Sequence, residues 1–397
     1  MARPAEGQAG TGAAARRRPV VVHVSSVHGP RDIRIRLKQC RSLKAAGYAV
    51  AFAVPCESDD GADGVEVLAV PPPRSRTERM LRTVWRVGRR AEARDPDVVH
   101  LHDPELMPLA WYFKLRRRRV ILDVHEDAPG QILAKAWIRP GLRKPAAALV
   151  ALMEQVTARL ADAIVAATPA IARRFPAPKT ALVQNFPIPG ELDQPADDTP
   201  YEQRPPHVAY VGVITPPRGA REMVRAMAHV RPGLGARLHL AGAFCPSALE
   251  HELAREEGWR HVEACGTLSR PEVARLLSRA RCGLVLFQAA PNHVDAQPNK
   301  LFEYMSAGIP VIASDFPLWR SLVEDVGAGI LVDPENPLAI ADAITWLLRH
   351  PSEARKMGEA GRIAVGNRYN WAQEADRLVR LYAKILGPRA ASPDARR

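Results

Sequence analysis

The stretch DAQPNKLFEYMSAGIPVIASD, residues 295–315, reads as a helix that runs straight into a strand. Pro298 sits where a first helical turn takes proline without losing a hydrogen bond. The amides of Asn299, Lys300 and Leu301 would then point out of the helix start, at the positive end of its dipole. That is a ready anion site. Lys300 and Glu303 are three apart and Asn299 and Glu303 four apart, so each pair shares a face. A Glu in the second turn can accept hydrogen bonds from a diol such as a ribose, but spacing alone equally suits a plain helix start with a surface Lys–Glu pair. Gly308 and Pro310 stop the helix, and IPVIASD (309–315) continues as a buried strand.

The same alternation extends in both directions. Upstream lie the strands HVAYVGVI (207–214), ARLHLAGAF (236–244), HVEACGTL (261–268) and CGLVLFQ (282–288). Helices over 219–230, 247–257 and 270–280 separate them, and GAGILVDP (327–334) adds a last short strand. The first half repeats the scheme, with strands PVVVHVSS (19–26), YAVAFAVP (48–55), VEVLAVP (65–71), DVVHLHD (97–103), RVILDVHE (119–126) and AIVAATP (163–169). Helices over 34–47, 79–94, 105–118 and 142–160 intervene. Continuous apolar strands alternating with helices imply parallel sheets covered on both faces. The expected fold class is therefore α/β, two Rossmann-like doubly wound parallel-sheet domains facing a cleft. The expected boundaries are 19–186 for the first, a Pro- and Asp-rich linker over 187–206, and 207–366 for the second. An amphipathic helix follows within 367–387, and periodicity does not decide whether it crosses back. Basic tails over 1–18 and 388–397 read as disordered. At 397 residues with 47% hydrophobic content the chain can fill two ordinary cores.

No apolar run reaches the length of a spanning helix, and the N-terminal apolar run is too short for a secretory signal. Five scattered cysteines, Cys40, Cys56, Cys245, Cys265 and Cys282, suit reduced thiols in a cytosol. The formal charge is +13, but it is local. Residues 74–94 carry eight Arg against two Glu, and Lys114 with Arg116–Arg119 add a second cluster. Aromatic residues are 6% and do not alternate with the basic runs, so a nucleic-acid partner is not expected. Over 79–94, Met80, Leu81, Val84, Trp85 and Val87 recur at helical spacing, and Arg79, Arg82, Arg86, Arg89 and Arg90 fill the other side. Two readings stand for that side: a solvated face, or a patch that docks on an anionic membrane.

Two acidic or metal-like motifs compete. HLHD (100–103) puts His100 and His102 on one strand face, as in the metal sites of some hydrolases. A hydrolase of that kind collects its ligands at successive strand ends of one barrel, whereas here a second sheet follows a linker. SDDGAD (58–63) lies in a polar loop and reads as a solvated turn.

The segment 295–315 resembles the nucleotide-sugar motif of the family-four retaining glycosyltransferases, also called glycosyltransferases group 1, which have the GT-B fold. Their pattern is two acidic residues separated by seven, a small-residue helix end, and Gly-x-Pro-Val-hydrophobic-Ala-Ser. AGIPVIAS (307–314) matches it, the second acid falls on Glu303 and the first on Asp295. YVGVITPPRGAREMVRAM (210–227) is similar to the family's strand–loop–helix, with Gly212 and Arg218 at the diphosphate and Val213 at the other basic position. DVVHLHDPELMP, VILDVHE, VQNFP and NWAQEADRLVRLY also match in kind and order.

The resemblance implies a hexosyl transfer from a nucleotide-diphosphate sugar, UDP- or GDP-linked, to an acceptor hydroxyl with retention and without a metal or other cofactor. It implies a saccharide or lipid-linked acceptor and a cytoplasmic enzyme of polysaccharide or glycoconjugate synthesis, peripheral on the inner membrane face. By that resemblance His125, Arg218 and Lys300 are the catalytic candidates. Gly212, Arg218, Asp295, Asn299, Lys300, Leu301 and Glu303 would hold the donor, and Gly29, Asp32 and Glu126 the acceptor. A sugar-nucleotide epimerase of the same architecture, and a metal hydrolase using His100 and His102, are the alternatives.

Overall fold

The computed structural model describes residues 17–58, 63–134, 138–192 and 199–387. Most of both expected tails, part of the linker and most of SDDGAD lie outside these residues. The first half forms seven parallel strands: β1 (Val20–Val24), β2 (Ala49–Pro55), β3 (Glu66–Val70), β4 (Val98–Leu101), β5 (Arg119–Val124), β6 (Ala163–Ala166) and β7 (Thr180–Leu182). Their order across the sheet is β3-β2-β1-β4-β5-β6-β7. The second half forms six: β8 (His207–Val211), β9 (Arg237–Ala241), β10 (Val262–Gly266), β11 (Cys282–Val285), β12 (Val311–Ser314) and β13 (Gly329–Val332). Their order is β10-β9-β8-β11-β12-β13, again all parallel. This is the GT-B arrangement of two α/β lobes.

The inner strands are buried on both faces because both faces carry helices, which is why their sequences read as apolar runs, whereas the edge strands β7, β10 and β13 are only partly buried. In the first lobe one face packs Val84, Val87, Leu109 and Phe113, and the other packs Ile35, Leu43 and Tyr48. Val21 and Val22, adjacent in β1, face opposite layers, as the two-residue period of a strand requires.

The closing helix Trp371–Leu386 leaves the second lobe and completes the core of the first. Trp371, Leu378 and Tyr382 are buried among Val21, Phe52, Val98 and Ile121. Asn370 caps it by accepting the Gln373 amide at 3.2 Å. Trp371 ties it down at both ends of the step between lobes, its indole donating to Ser42 Oγ at 2.9 Å and its amide to Pro187 O at 2.8 Å.

Three expectations need correction. Arg17, assigned to a disordered tail, donates to Asp97 at 3.1 Å. Asp63 is an ion-pair partner and not merely a solvated turn residue. It takes Arg36 at 2.7 Å and Arg41 at 3.0 Å, and although burial opposes it, these bonds hold its carboxyl down to about 2. The basic helix is phased differently from the reading above. It buries Val84, Val87, Gly88 and Ala91 and turns Met80, Leu81 and Trp85 outward. Among the described residues no helix is long and apolar enough to cross a membrane.

Truncating Tyr382 tests the crossing. Tyr382→Ala removes a fully buried ring and should cost about 3–5 kcal/mol in urea denaturation. Tyr382→Phe leaves His100 Nδ1 without its 2.8 Å partner and should cost about 1–3 kcal/mol. A wild-type midpoint for Tyr382→Ala would mean that the helix does not belong to the first lobe's core.

Candidate active site

Each sheet reverses its strand order once, between β1 and β4 and between β8 and β11. Loops leaving such a point diverge and open a crevice at the C-terminal strand ends. A cavity of about 470 Å³ is lined there by residues of both lobes, including Arg34, His125, Glu126 and Asn185 from the first and Gly212, Arg218, Arg270, Lys300 and Glu303 from the second.

The second lobe's wall is the start of the helix Asn299–Ser306. Pro298 is its N-cap and not its first helical residue. The Leu301 amide donates to Pro298 O at 3.1 Å, and the Leu301 side chain is fully buried in the core. So Leu301 offers a ligand nothing, and the amides of Asn299 and Lys300 are the free pair. The Lys300 ammonium lies 5.3 Å from the centroid of the Tyr210 ring and against Gly212. A Cβ on Gly212 would come within 2.5 Å of Lys300 Nζ, and Gly212 has φ +122°, so only glycine fits both the backbone and the neighbour. Burial, with Arg218 nearby and against the pull of Glu303, pushes the Lys300 ammonium down to about 8. Arg218 ends a short turn after β8, donates to Val213 O at 3.2 Å and stacks 5.7 Å from the Phe287 centroid. Val213 thus contributes its carbonyl as an anchor for Arg218.

Glu303 lines the same cavity, with its Oε1 accepting Arg270 at 2.8 Å. Asp295 is exposed and lines an adjoining cavity of about 450 Å³ with His125, Glu126 and Arg218, away from the helix start. The Asn299 side chain is exposed at the cavity rim.

The first lobe's wall follows β5. Asp123 is fully buried beneath it, accepting Arg34 at 2.8 and 3.0 Å, Gln39 at 2.6 Å and His102 at 3.0 Å. Burial works against this carboxylate, but Arg34 and His102 hold it well below its usual range. His125 is two residues on and faces the cavity. Burial, with Arg34 and His28 close by, keeps its imidazole below the ordinary value against the pull of Asp123. His125 Nε2 lies 3.3 Å from His28 Nε2, and His28 Nδ1 lies 2.9 Å from Asp32. Asp32 also accepts the Ile35 amide at 2.8 Å. It is therefore a helix cap that reaches the cleft only through His28. Gly29 is exposed and lines none of these cavities. Glu126 lines both large cavities and accepts Gln131 at 2.7 Å.

His100 is sealed in the sheet, and His102, although buried, borders only the small pocket beside His125. Both are buried in β4 and its end, joined with His23. His23 Nδ1 and His102 Nε2 are 2.8 Å apart, a hydrogen bond, and closer than the roughly 3.3 Å between two nitrogens bound tetrahedrally to one zinc.

Sequence reasoning missed Arg34, Lys38, Arg270 and His28. Arg34 and Lys38 are one helical turn apart with no acid on their face, which was the available signal. Lys38 is buried, donates to Asn185 Oδ1 at 2.7 Å, and burial pushes it down to about 7.

The model of the family "Glycosyl transferases group 1" matches residues 205–350, and that of "Glycosyl transferase 4-like domain" matches 33–185. Together they span about three quarters of the chain. The phosphatidyl-myo-inositol mannosyltransferase of Mycobacterium leprae is 38% identical over 85 residues, which is 21% of this chain and 22% of that protein. The chain thus matches only about a fifth of that relative's length. The MMP alpha-(1->4)-mannosyltransferase of Mycolicibacterium hassiacum is 24% identical over 91% of this chain and 88% of that one. The fold is similar to that of sucrose-phosphate synthase from Thermosynechococcus elongatus, with a TM-score of 0.75, 20% identity, and coverage of 93% of this chain and 99% of that one.

An anion at the helix start should favour the charged form of Lys300. Inorganic diphosphate affinity, measured by calorimetry, should therefore fall as pH rises above about 8, by up to roughly tenfold per unit. Lys300→Met should bind more weakly and lose that slope, while Lys38, near 7, titrates below the window. An unchanged slope in Lys300→Met would remove Lys300 from the anion site.

Proposed function

The chain belongs to the group 1 glycosyl transferases, and on that premise we propose that it moves a hexosyl group from a UDP- or GDP-linked sugar to a hydroxyl of a saccharide or lipid-linked acceptor. The observation that carries this reading is the helix start at Asn299 and Lys300, where free amides, the Lys300 ammonium and Arg218 surround one cavity that His125 faces from the other lobe. A nucleotide-diphosphate leaving group gains charge as the glycosidic bond breaks. Donors and cations fixed in advance stabilise that charge without reorganising.

In this reaction the diphosphate lies against those groups, Glu303 accepts the ribose hydroxyls, and neutral His125 meets a hydroxyl of the donor sugar. The bond from the anomeric carbon to the diphosphate oxygen breaks, and a bond to the acceptor oxygen forms on the same face. The acceptor proton passes to the departing phosphate oxygen. Configuration is retained, and the protein's own cations take the part a divalent ion plays elsewhere. A smaller pocket of about 140 Å³, floored by Leu101, Met107, Leu122 and Phe175, adjoins His125 and suits the acceptor. The names of two relatives favour a mannosyl donor.

The membrane partner rests on the outward phase of the basic helix. Met80, Leu81 and Trp85 are joined on neighbouring helices by exposed Leu115, Leu149 and Leu152, interspersed with exposed Arg82, Arg89 and Lys144. Trp85 packs 6.1 Å from Tyr112, and Trp111 donates to Thr157 at 3.1 Å, so the three helices are contiguous. Apolar side chains ringed by cations fit an anionic bilayer surface. Arg79 and Arg86, paired with Glu105 and Glu78, add less than the sequence suggested.

A thermal-shift panel of UDP-, GDP-, ADP- and dTDP-sugars should show one base stabilising the chain. Incubation of that donor with saccharide acceptors should yield a glycoside of unchanged anomeric configuration. An epimerised nucleotide sugar with no glycoside would favour the epimerase. Arg218→Ala should lower turnover by on the order of 100-fold or more, and wild-type turnover would discard it. For the membrane, the protein should float with phosphatidylglycerol vesicles and not with phosphatidylcholine. Leu81→Glu with Leu115→Glu should abolish flotation while leaving the donor shift intact, and persistent flotation would move the contact elsewhere.

A further inference from the structure

Arg270 has the geometry of a tether. It opens the helix Arg270–Arg279, whose start is fixed by a reciprocal Ser269–Glu272 capping box. Its Nε and one terminal nitrogen donate to the two oxygens of Glu191 at 2.8 and 2.9 Å. Its other terminal nitrogen donates to Glu303 Oε1 at 2.8 Å. Burial opposes the charge on this guanidinium, yet the two carboxylates raise its pKa above the ordinary value. Glu191 lies in the connection between β7 and β8, outside both sheets. The three side chains therefore join the interlobe connection to the donor helix through one planar cation, which orients a carboxylate in two directions at once.

We propose that Arg270 is a positioning residue for nucleotide recognition, held by Glu191, and that it presents Glu303 to the ribose of the bound donor. The inference rests on the reading that Glu303 accepts the ribose hydroxyls, and it assigns the orientation of that carboxylate to a residue 33 positions away and a connection segment 79 positions from it. A lysine cannot replace the arginine here, because one ammonium cannot bind both oxygens of Glu191 and one of Glu303 in a plane.

The test compares two probes on the full chain: the stabilising nucleoside diphosphate, which carries a ribose, and inorganic diphosphate, which does not. Calorimetric affinities are measured for Arg270→Gln, Arg270→Lys, Glu191→Gln, Glu303→Gln and the Arg270→Gln/Glu303→Gln pair. Arg270→Gln should weaken the nucleoside diphosphate about tenfold and leave inorganic diphosphate unchanged. Arg270→Lys and Glu191→Gln should weaken it less, in the same selective way, and the double variant should be no weaker than Glu303→Gln alone. If Arg270→Gln does not fold, Arg270→Lys carries the comparison. Wild-type nucleoside-diphosphate affinity in the arginine variants, beside a weakened Glu303→Gln, would overturn the positioning role while leaving the ribose contact standing. Equal loss of both probes would make Arg270 a general structural residue and also overturn it. Wild-type affinity in Glu303→Gln would instead overturn the ribose contact itself, and the inference with it.

Discussion

The partly buried ammonium of Lys300 sets the terms for the rest of the cleft. A lysine taken out of water must find a partner or lose its proton, and Lys300 does part of each. The face of Tyr210 and the charge of Glu303 retain the cation, while burial and Arg218 work against it. Its place is made by glycine. Gly212 leaves room for the ammonium, and Gly242 in turn leaves room for Gly212, since a Cβ on Gly242 would sit 2.1 Å from Gly212 O. Two adjacent strand ends are thus stripped of side chains where the helix start points. The backbone there can approach an anion closely, and the lysine is held ready for one.

The other wall follows a different logic. Asp123 is a charge in the sheet's interior, tolerated because Arg34 meets it with two nitrogens and Gln39 and His102 add further donors. That network orders the end of β5, from which His125 projects. Arg34 also donates to Val183 O beyond β7, so one guanidinium locks the ends of two strands. His125 inherits a fixed position, and burial with Arg34 and His28 close by holds its imidazole below the ordinary value against the pull of Asp123.

The architecture was legible because most strands are largely apolar runs separated by helices, and parallel sheets demand that pattern. The failures have specific causes. β7 is three half-buried residues, Thr180, Ala181 and Leu182, too few and too mixed to show a period. The helix Pro351–Asn367 contains Gly358, Gly361 and Gly366, which weaken its local signal. Gly358 is there because its backbone packs against Gly308, where a Cβ would come within 2.1 Å of the carbonyl oxygen. In the basic helix, Met80, Leu81 and Trp85 share the periodicity of core residues, and an exposed stripe has the same spacing as one that packs inward. At the site, the motif around Lys300 and Glu303 lies within one helix turn and could be read locally. Arg270 could not, since its partners come from remote segments and nothing in SRPEV marks the arginine as paired.

Charge divides the work of the two walls. On the second lobe, Lys300, Arg218 and the helix amides face a carboxylate that already has a partner in Arg270, so the surface left for a ligand favours an anion. On the first lobe, the cations that approach the cleft are committed: Arg34 to Asp123, Lys38 to Asn185, and His28 to Asp32. What remains there is a neutral imidazole, the carboxylate of Glu126 and an apolar pocket floor. An anion is favoured on the second lobe's side, while on the other the cations near the cleft are engaged in hydrogen bonds or ion pairs. On the proposed function, the same asymmetry would orient a nucleotide sugar, with its anionic centre on the second lobe and its sugar toward His125.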